Sequence, residues 1–272
     1  MRNFGLKVRM AIVGSILFAF YTAGISFFYL VFGAPIPLLI GLSVVFVFAQ
    51  YKISKWFTLR SLKGQELPED QFRELHRFVE QTSRDMGIEK PDLYLVEMGV
   101  PNAFALGRRG NGTVAVSREL LGVLEQDEVE GVVAHELAHL QNRDSIIMQL
   151  GQGIASIIGF AAYFAVILSG DNELVDIFIG MIVSNIAQML VMVFVFAVSR
   201  HREFVADRDA AEVLGRGDPL ARALEKISSS ASRAEPTPEA KEVNALCIFG
   251  GGSSLLSTHP STEKRIERLR SY

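Results

Sequence analysis

A chain of 272 residues with a formal net charge of -3, and with no basic tract interleaved with aromatics, gives no reason to expect a nucleic-acid partner. Its one cysteine, Cys247, excludes an internal disulfide, in keeping with a reducing compartment. Apolar residues make up 49% of the chain and the mean hydropathy is +0.27, which is high for a soluble enzyme and is concentrated in runs.

The first two runs, residues 10–32 and 33–50, carry no charge, and residues 145–170 and 177–198 form a second pair. Each run is close to the roughly 20 residues that a helix needs to cross a bilayer, although Pro35 and Pro37 shorten the second. Four membrane helices are expected. The rival reading, core helices of a soluble protein, fits less well because such helices keep a polar stripe toward water. A cleaved signal peptide would account for the first run alone, but no small-residue cleavage site is evident and a second run follows at once, so the run reads as an anchor.

Basic residues set the orientation. Arg2, Lys7 and Arg9 precede the first run, Lys52, Lys55, Arg60 and Lys63 follow the second, and Arg200, His201 and Arg202 follow the fourth. The connection between the third and fourth runs is acidic, with Asp171, Glu173 and Asp176. The pattern predicts a multi-pass membrane protein with both termini and every sizeable polar segment in the cytoplasm, and the cell (plasma) membrane is the expected location. Residues 1–50 would hold two helices, 51–144 the first part of a cytoplasmic domain, 145–198 a membrane hairpin and 199–272 the second part of that domain.

Residues 52–65 form a basic amphipathic stretch whose Trp56, Phe57 and Leu59 suit the headgroup level. Beyond Pro68-Glu-Asp, the residues Phe72, Leu75, Val79, Thr82 and Met86 recur at helical spacing, with His76 beside the stripe in a surface or packing role. Gly87 and Pro91 end that helix. Residues 93–96, 102–106 and 113–116 read as strands, the last two joined by Arg108-Arg-Gly-Asn-Gly, which predicts a small antiparallel sheet. Asn102, Ala103, Phe104 and Ala105 are candidates for an edge that pairs with an extended peptide; otherwise the sheet only supports the helix that follows.

That helix starts near Gln126 and is packed down by Val129, Val132, Val133, Leu137 and Leu140. It carries His135-Glu-Leu-Ala-His139. Residues four apart lie nearly above one another on a helix, so His135 and His139 can present two imidazoles to one metal ion while Glu136 leans toward the same cavity. Two neutral imidazoles suit zinc, and the adjacent carboxylate can take a proton from water. A catalytic site of this kind needs a third ligand, and a later stretch, Ser199-Arg-His-Arg-Glu-Phe-Val-Ala-Asp, offers one. Glu203 and Asp207 share a helical face: Glu203 can ligate, and Asp207 can accept the spare ring N–H of a ligating histidine. His201 is the other candidate, but it lies about 200° round the helix from Glu203, which suits a surface role.

With these residues in hand, the chain resembles the HtpX-type membrane zinc metalloproteases, relatives of the CAAX prenyl proteases. The resemblance rests on the paired N-terminal apolar runs, Asn102-Ala-Phe-Ala, the His-Glu-Leu-Ala-His helix and the apolar pair inserted after it. It rests also on Glu203-Phe-Val-Ala-Asp207 and on Ser257-Thr-His-Pro-Ser-Thr-Glu-Lys-Arg-Ile. It implies a gluzincin-like fold, mainly α with an α+β catalytic domain, and one Zn2+ per chain on His135, His139 and Glu203. It further implies Glu136 as general base, polypeptide substrates and a quality-control role toward damaged membrane proteins.

Residues 228–245, rich in Ser with Pro236 and Pro238, have the composition of a mobile loop, and a last helix is expected over residues 262–269 with Ile266 and Leu269 inward. His259 is a candidate donor to a developing oxyanion, or a cap at that helix. The alternatives to an endopeptidase are a non-catalytic membrane scaffold, which would not require Glu136, and prenyl-peptide processing, which would need a lipid-sized cavity.

Overall fold

The computed structural model describes residues 29–31, 33, 35, 38, 41, 45, 49, 55–170, 173–231, 237 and 260–272. The expectations for most of the first two apolar runs, for His259 and for nearly all of residues 232–245 lie outside these residues. The chain divides into two compact units, Met1–Ile53 with Ile147–Ser199, and Ser54–Ile146 with Arg200–Tyr272.

The second unit opens on a helical stretch over residues 55–61 whose Trp56 and Phe57 are exposed, with the Arg60 guanidinium 5.8 Å from the Trp56 ring centre. It leads into β1 (Gln65–Glu66) and α1 (Arg73–Met86), which buries Leu75, Val79, Thr82 and Met86 and ends on the left-handed Gly87. The strands β2 (Asp92–Val96), β3 (Ala103–Arg108) and β4 (Asn111–Ser117) complete a four-stranded sheet in the order β1-β2-β4-β3.

This sheet is mixed, which corrects the expected antiparallel one. β3 and β4 form an antiparallel hairpin, but β2 and β4 pair in parallel, with Leu95 opposite Val116. The reason is the crossover at residues 97–102, which carries the chain to the far side before the hairpin turns it back beside β2. Ser117 holds this crossover: its Oγ accepts from the Asn102 N–H at 2.9 Å and donates to the Val100 carbonyl at 3.0 Å. The turn itself needs Gly107, whose φ is +104° and whose Cβ would sit 2.2 Å from the Asn111 carbonyl oxygen.

Side chains alternate across the sheet with period two. Leu93, Leu95, Ala103, Ala105, Val114 and Val116 join the main core, whereas Val96, Phe104, Leu106 and Ala115 close over Leu62, Met98 and Val100 on the other face. The small Ala103 and Ala105 lie on the side of α3 (Gln126–Asn142), and β3 packs against that helix. The short α2 (Arg118–Val123) comes between β4 and α3, capped by the Ser117 hydroxyl, which accepts from the Leu120 N–H at 3.1 Å.

The helix α6 (Asp218–Ala231) buries Leu220, Ala223, Leu224 and Ile227 against α3. It runs through residues 228–231, where the Ser-rich composition had suggested a loop; the apolar stripe one turn earlier carries the helix on. The last helix, α7 (Thr262–Leu269), buries Leu269 and also Arg265, while Ile266 is partly buried against the core.

The first unit holds most of α4 (Asp144–Ser169) and the first part of α5 (Glu173–Leu214). Gly151, Ala155 and Gly159 give α4 a small-residue face. A Cβ at Gly151 would meet Val195 and one at Gly159 would meet Gln188, and Ala155 is buried with Val191. Among the described residues two helices are long and apolar enough to cross a membrane, Leu150–Ser169 and Leu174–Leu214, and only 17% of each apolar window is buried. A core helix of a soluble protein would be mostly covered, whereas here Phe160, Leu174, Phe178 and Leu190 are exposed. The fourth apolar run and the Glu203 segment belong to one continuous helix of 42 residues.

Candidate metal centre

The site is built on α3. Its first turn is fastened by Glu128, whose buried carboxylate accepts from the Glu125 N–H at 2.9 Å, pairs with Arg222 at 3.0 Å and pairs with Lys226 at 2.7 Å, both from α6. Gly131 lets α6 approach, since a Cβ there would lie 2.9 Å from the Leu220 backbone nitrogen. Val132, Val133, Leu137 and Leu140 anchor the helix in the core, and of the motif residues His135 and Glu136 are themselves buried, while His139 is partly buried and gathers with His135 and Glu203.

One donor atom from each of His135, His139 and Glu203 lies within 4.8 Å of the others. The two imidazole Nε2 atoms are 3.0 Å apart, and the Glu203 oxygens lie 3.5 Å from His135 Nε2 and 3.4 Å from His139 Nε2. Each ring is held from behind. Asp207 Oδ1 is 3.0 Å from His135 Nδ1, and Asp144 Oδ2 is 2.6 Å from His139 Nδ1. A carboxylate at Nδ1 keeps the ring proton there, so both Nε2 lone pairs point at one spot. Two lone pairs so close repel unless a proton or a cation lies between them. The donor set of two imidazoles and one carboxylate therefore fits zinc with a fourth position left open.

The electrostatics of the site follow from its burial and its charges. Burial pushes the His135 imidazole toward the neutral form, but its hydrogen bonds to Asp207 and Glu203 outweigh this and raise its pKa to about 9. Burial raises the Glu136 carboxyl to about 7, with Glu203 adding to the rise, while His135, Arg265 and the Ala105 backbone N–H that it accepts from oppose it. A carboxyl poised near neutrality beside a metal-type cluster has the property that a general base requires.

The remaining candidate residues are placed as follows. Asn102 is buried; its side-chain oxygen accepts from the Ala103 N–H at 2.9 Å, fixing the start of β3. Ala103, Phe104 and Ala105 lie on β3, the strand at the end of the sheet order beyond β4. His201 is half-buried and is not part of the metal-type cluster. Arg265, which no metal-ligand motif in the sequence marks, packs directly against the cluster. Its guanidinium forks onto Asp207 at 2.9 and 2.7 Å, lies 3.1 Å from Glu203 and approaches His135 Nε2 at 3.3 Å. Its only signal was position: a charged residue between Ile266 and the turn before it, on a helix whose inward face is otherwise apolar.

A helix bearing His-Glu-x-x-His, an acidic residue from a later helix completing the cluster, and a carboxylate behind each imidazole define a metallopeptidase of the zinc type. The chain belongs to peptidase family M48, whose model matches residues 69–272. A protease HtpX homolog of Halobacterium salinarum is 50% identical over 290 aligned positions, covering 96% of this chain and all of that one. A protease HtpX homolog of Aquifex aeolicus is 38% identical, covering 82% of this chain and 79% of the relative. In fold, the chain is similar to the crystal structure of S. mikatae Ste24p, with a TM-score of 0.60 at 18% identity, across 98% of this chain and 66% of the longer one.

Proposed function

We propose that the protein is a membrane-anchored zinc endopeptidase that cleaves misfolded or membrane polypeptides in protein quality control, with one Zn2+ held by His135, His139 and Glu203. The observation that carries this reading is the convergence of those three donors within 4.8 Å, next to a buried carboxyl whose pKa is raised to about 7. When bound, zinc supplies Lewis-acid chemistry: it polarises a carbonyl oxygen and acidifies water. Glu136 takes the proton of the attacking water and delivers it to the departing amine nitrogen. Asp207, gripped by Arg265, holds His135 with its proton on Nδ1. The edge strand from Asn102 to Ala105 adds an extended substrate to the sheet through main-chain pairing, which demands little of its sequence. His259 is the candidate donor to the developing oxyanion.

The architecture that goes with this function is a gluzincin-like domain on four membrane helices, with the catalytic parts and both termini in the cytoplasm. The basic flanks at Lys52–Lys63 and Arg200–Arg202 and the two apolar helices α4 and α5 support it. Prenyl-peptide processing gains nothing beyond a likeness of fold at 18% identity.

Metal analysis of two purified variants tests the cluster. Glu203→Ala should lose tightly held zinc, because two imidazoles alone make an incomplete site, and His201→Ala should retain it. Zinc loss in the His201 variant with retention in the Glu203 variant would mean that the third donor is misassigned.

A further inference from the structure

His135 and His139 are each backed by a carboxylate, and each carboxylate is gripped by a buried arginine from a different element. Behind His135 these are Asp207 of α5 and Arg265 of α7. Behind His139 they are Asp144, the first residue of α4, and Arg202 of α5, which pairs with the Asp144 oxygen that His139 does not use. Asp144 is 8% exposed and Arg202 2%. We propose that Asp144, held in place by Arg202, is a positioning residue for His139, fixing the ring proton on Nδ1 and aiming Nε2 into the metal cluster.

The local backbone is shaped for this contact. Arg143, between α3 and α4, has a φ of 60°, a left-handed conformation unusual for a residue with a Cβ, and its N–H closes α3 on the His139 and Leu140 carbonyls. That single residue redirects the chain so that the first side chain of α4 turns back onto the last turn of α3. Asp144 also stands at the N-terminal end of α4, a helix of 26 residues whose backbone N–H groups there carry partial positive charge. Stability alone does not explain the pair. A buried arginine–carboxylate pair is costly to desolvate, and apolar residues of similar size often serve stability as well or better. Its position behind a metal-type imidazole gives it a role, since an outer partner of this kind is typically worth 10–100-fold in metal affinity.

This inference rests on the reading that His135, His139 and Glu203 hold zinc, and the test separates the two. The full-length protein in detergent is stripped of metal, its zinc affinity is measured by competition with a chromophoric chelator, and the absorption spectrum of the cobalt(II)-loaded form is recorded. Asp144→Ala should weaken zinc binding about 10–100-fold and alter the cobalt spectrum. Asp144→Asn, which keeps an acceptor oxygen, should lose less. The double variant Asp144→Ala/Arg202→Met should bind zinc no more weakly than Asp144→Ala alone, because Arg202 acts through Asp144. If Asp144→Ala leaves an unpaired arginine that prevents folding, the neutral pair Asp144→Asn/Arg202→Met carries the same comparison and should bind zinc more weakly than wild type. Zinc affinity within twofold of wild type and an unchanged cobalt spectrum in the folded Asp144 variants, while Glu203→Ala loses zinc, would overturn the positioning role alone. Failure of the wild-type protein to bind zinc would overturn the underlying reading as well.

Discussion

Replacing Glu136 by Gln should stabilise the metal-free protein at neutral and alkaline pH. The carboxyl is 2% exposed, and burial, aided by Glu203, lifts its pKa from an ordinary 4.5 to about 7. The folded state therefore holds this proton more tightly than the unfolded state. Stability falls as pH rises through the interval from 4.5 to about 7, and above it the full penalty is about 3 kcal/mol. Gln has the same shape and can still accept from the Ala105 N–H, but it has no charge to bury. His135 adds a second slope: with its folded pKa raised to about 9, its contribution is complete below the unfolded value of 6.5 and is lost as pH rises through 9. That slope is present in both proteins, so the comparison between them reads Glu136. Thermal unfolding in detergent with a chelator, at pH 5 and pH 8, should give nearly equal midpoints at the lower pH. At pH 8 the variant should lead by several degrees. Equal midpoints at pH 8, or a less stable variant, would refute the argument that this carboxyl is buried at a cost.

Gly131→Ala gives the opposite sign. In an open helix the change is worth about 1 kcal/mol in favour of Ala, but here the new methyl meets the Leu220 backbone at 2.9 and 3.1 Å, so a net loss of about 1–3 kcal/mol is expected from thermal unfolding; a stabilised variant would show that α6 can shift. For topology, reporters fused after Tyr272 and inserted near Lys63 should both read cytoplasmic and one at Asp171 external; the reverse pattern would put the catalytic parts on the other side.

The parts of the site that a periodic signal marks were legible in the sequence. His135 and His139 stand one turn apart inside an apolar stripe, and Glu203 and Asp207 repeat that spacing two apolar runs later, so helical geometry alone pairs them. Asp144, Arg202 and Arg265 were not legible. Each is a single charged residue among other charges, and what makes it part of the site is a partner 58 positions away or a change of chain direction at Arg143. The strands β2, β3 and β4 match the expected ones within two residues at each end, because alternation with period two and the Gly-rich hairpin are local, whereas the two-residue β1 is too short to carry such a signal. The parallel pairing of β2 with β4 depends on where residues 97–102 cross, which the pattern of side chains does not encode. The sequence also carries a signal for α6, since Asp218-Pro219 opens it and Leu220, Leu224 and Ile227 mark its face; only its last residues, 228–231, have the Ser-rich composition of a loop.

The central claim is that Glu136 acts as the base of a metal-dependent peptidase, and cleavage of an unfolded substrate tests it most directly. Wild-type protein supplied with zinc should cleave casein, and a chelator should stop it. The Glu136→Gln variant should bind zinc as wild type does and lose about 10² to 10⁴ in rate, since the amide cannot accept the proton of the attacking water. Equal cleavage by the two proteins at equal zinc content would contradict the account.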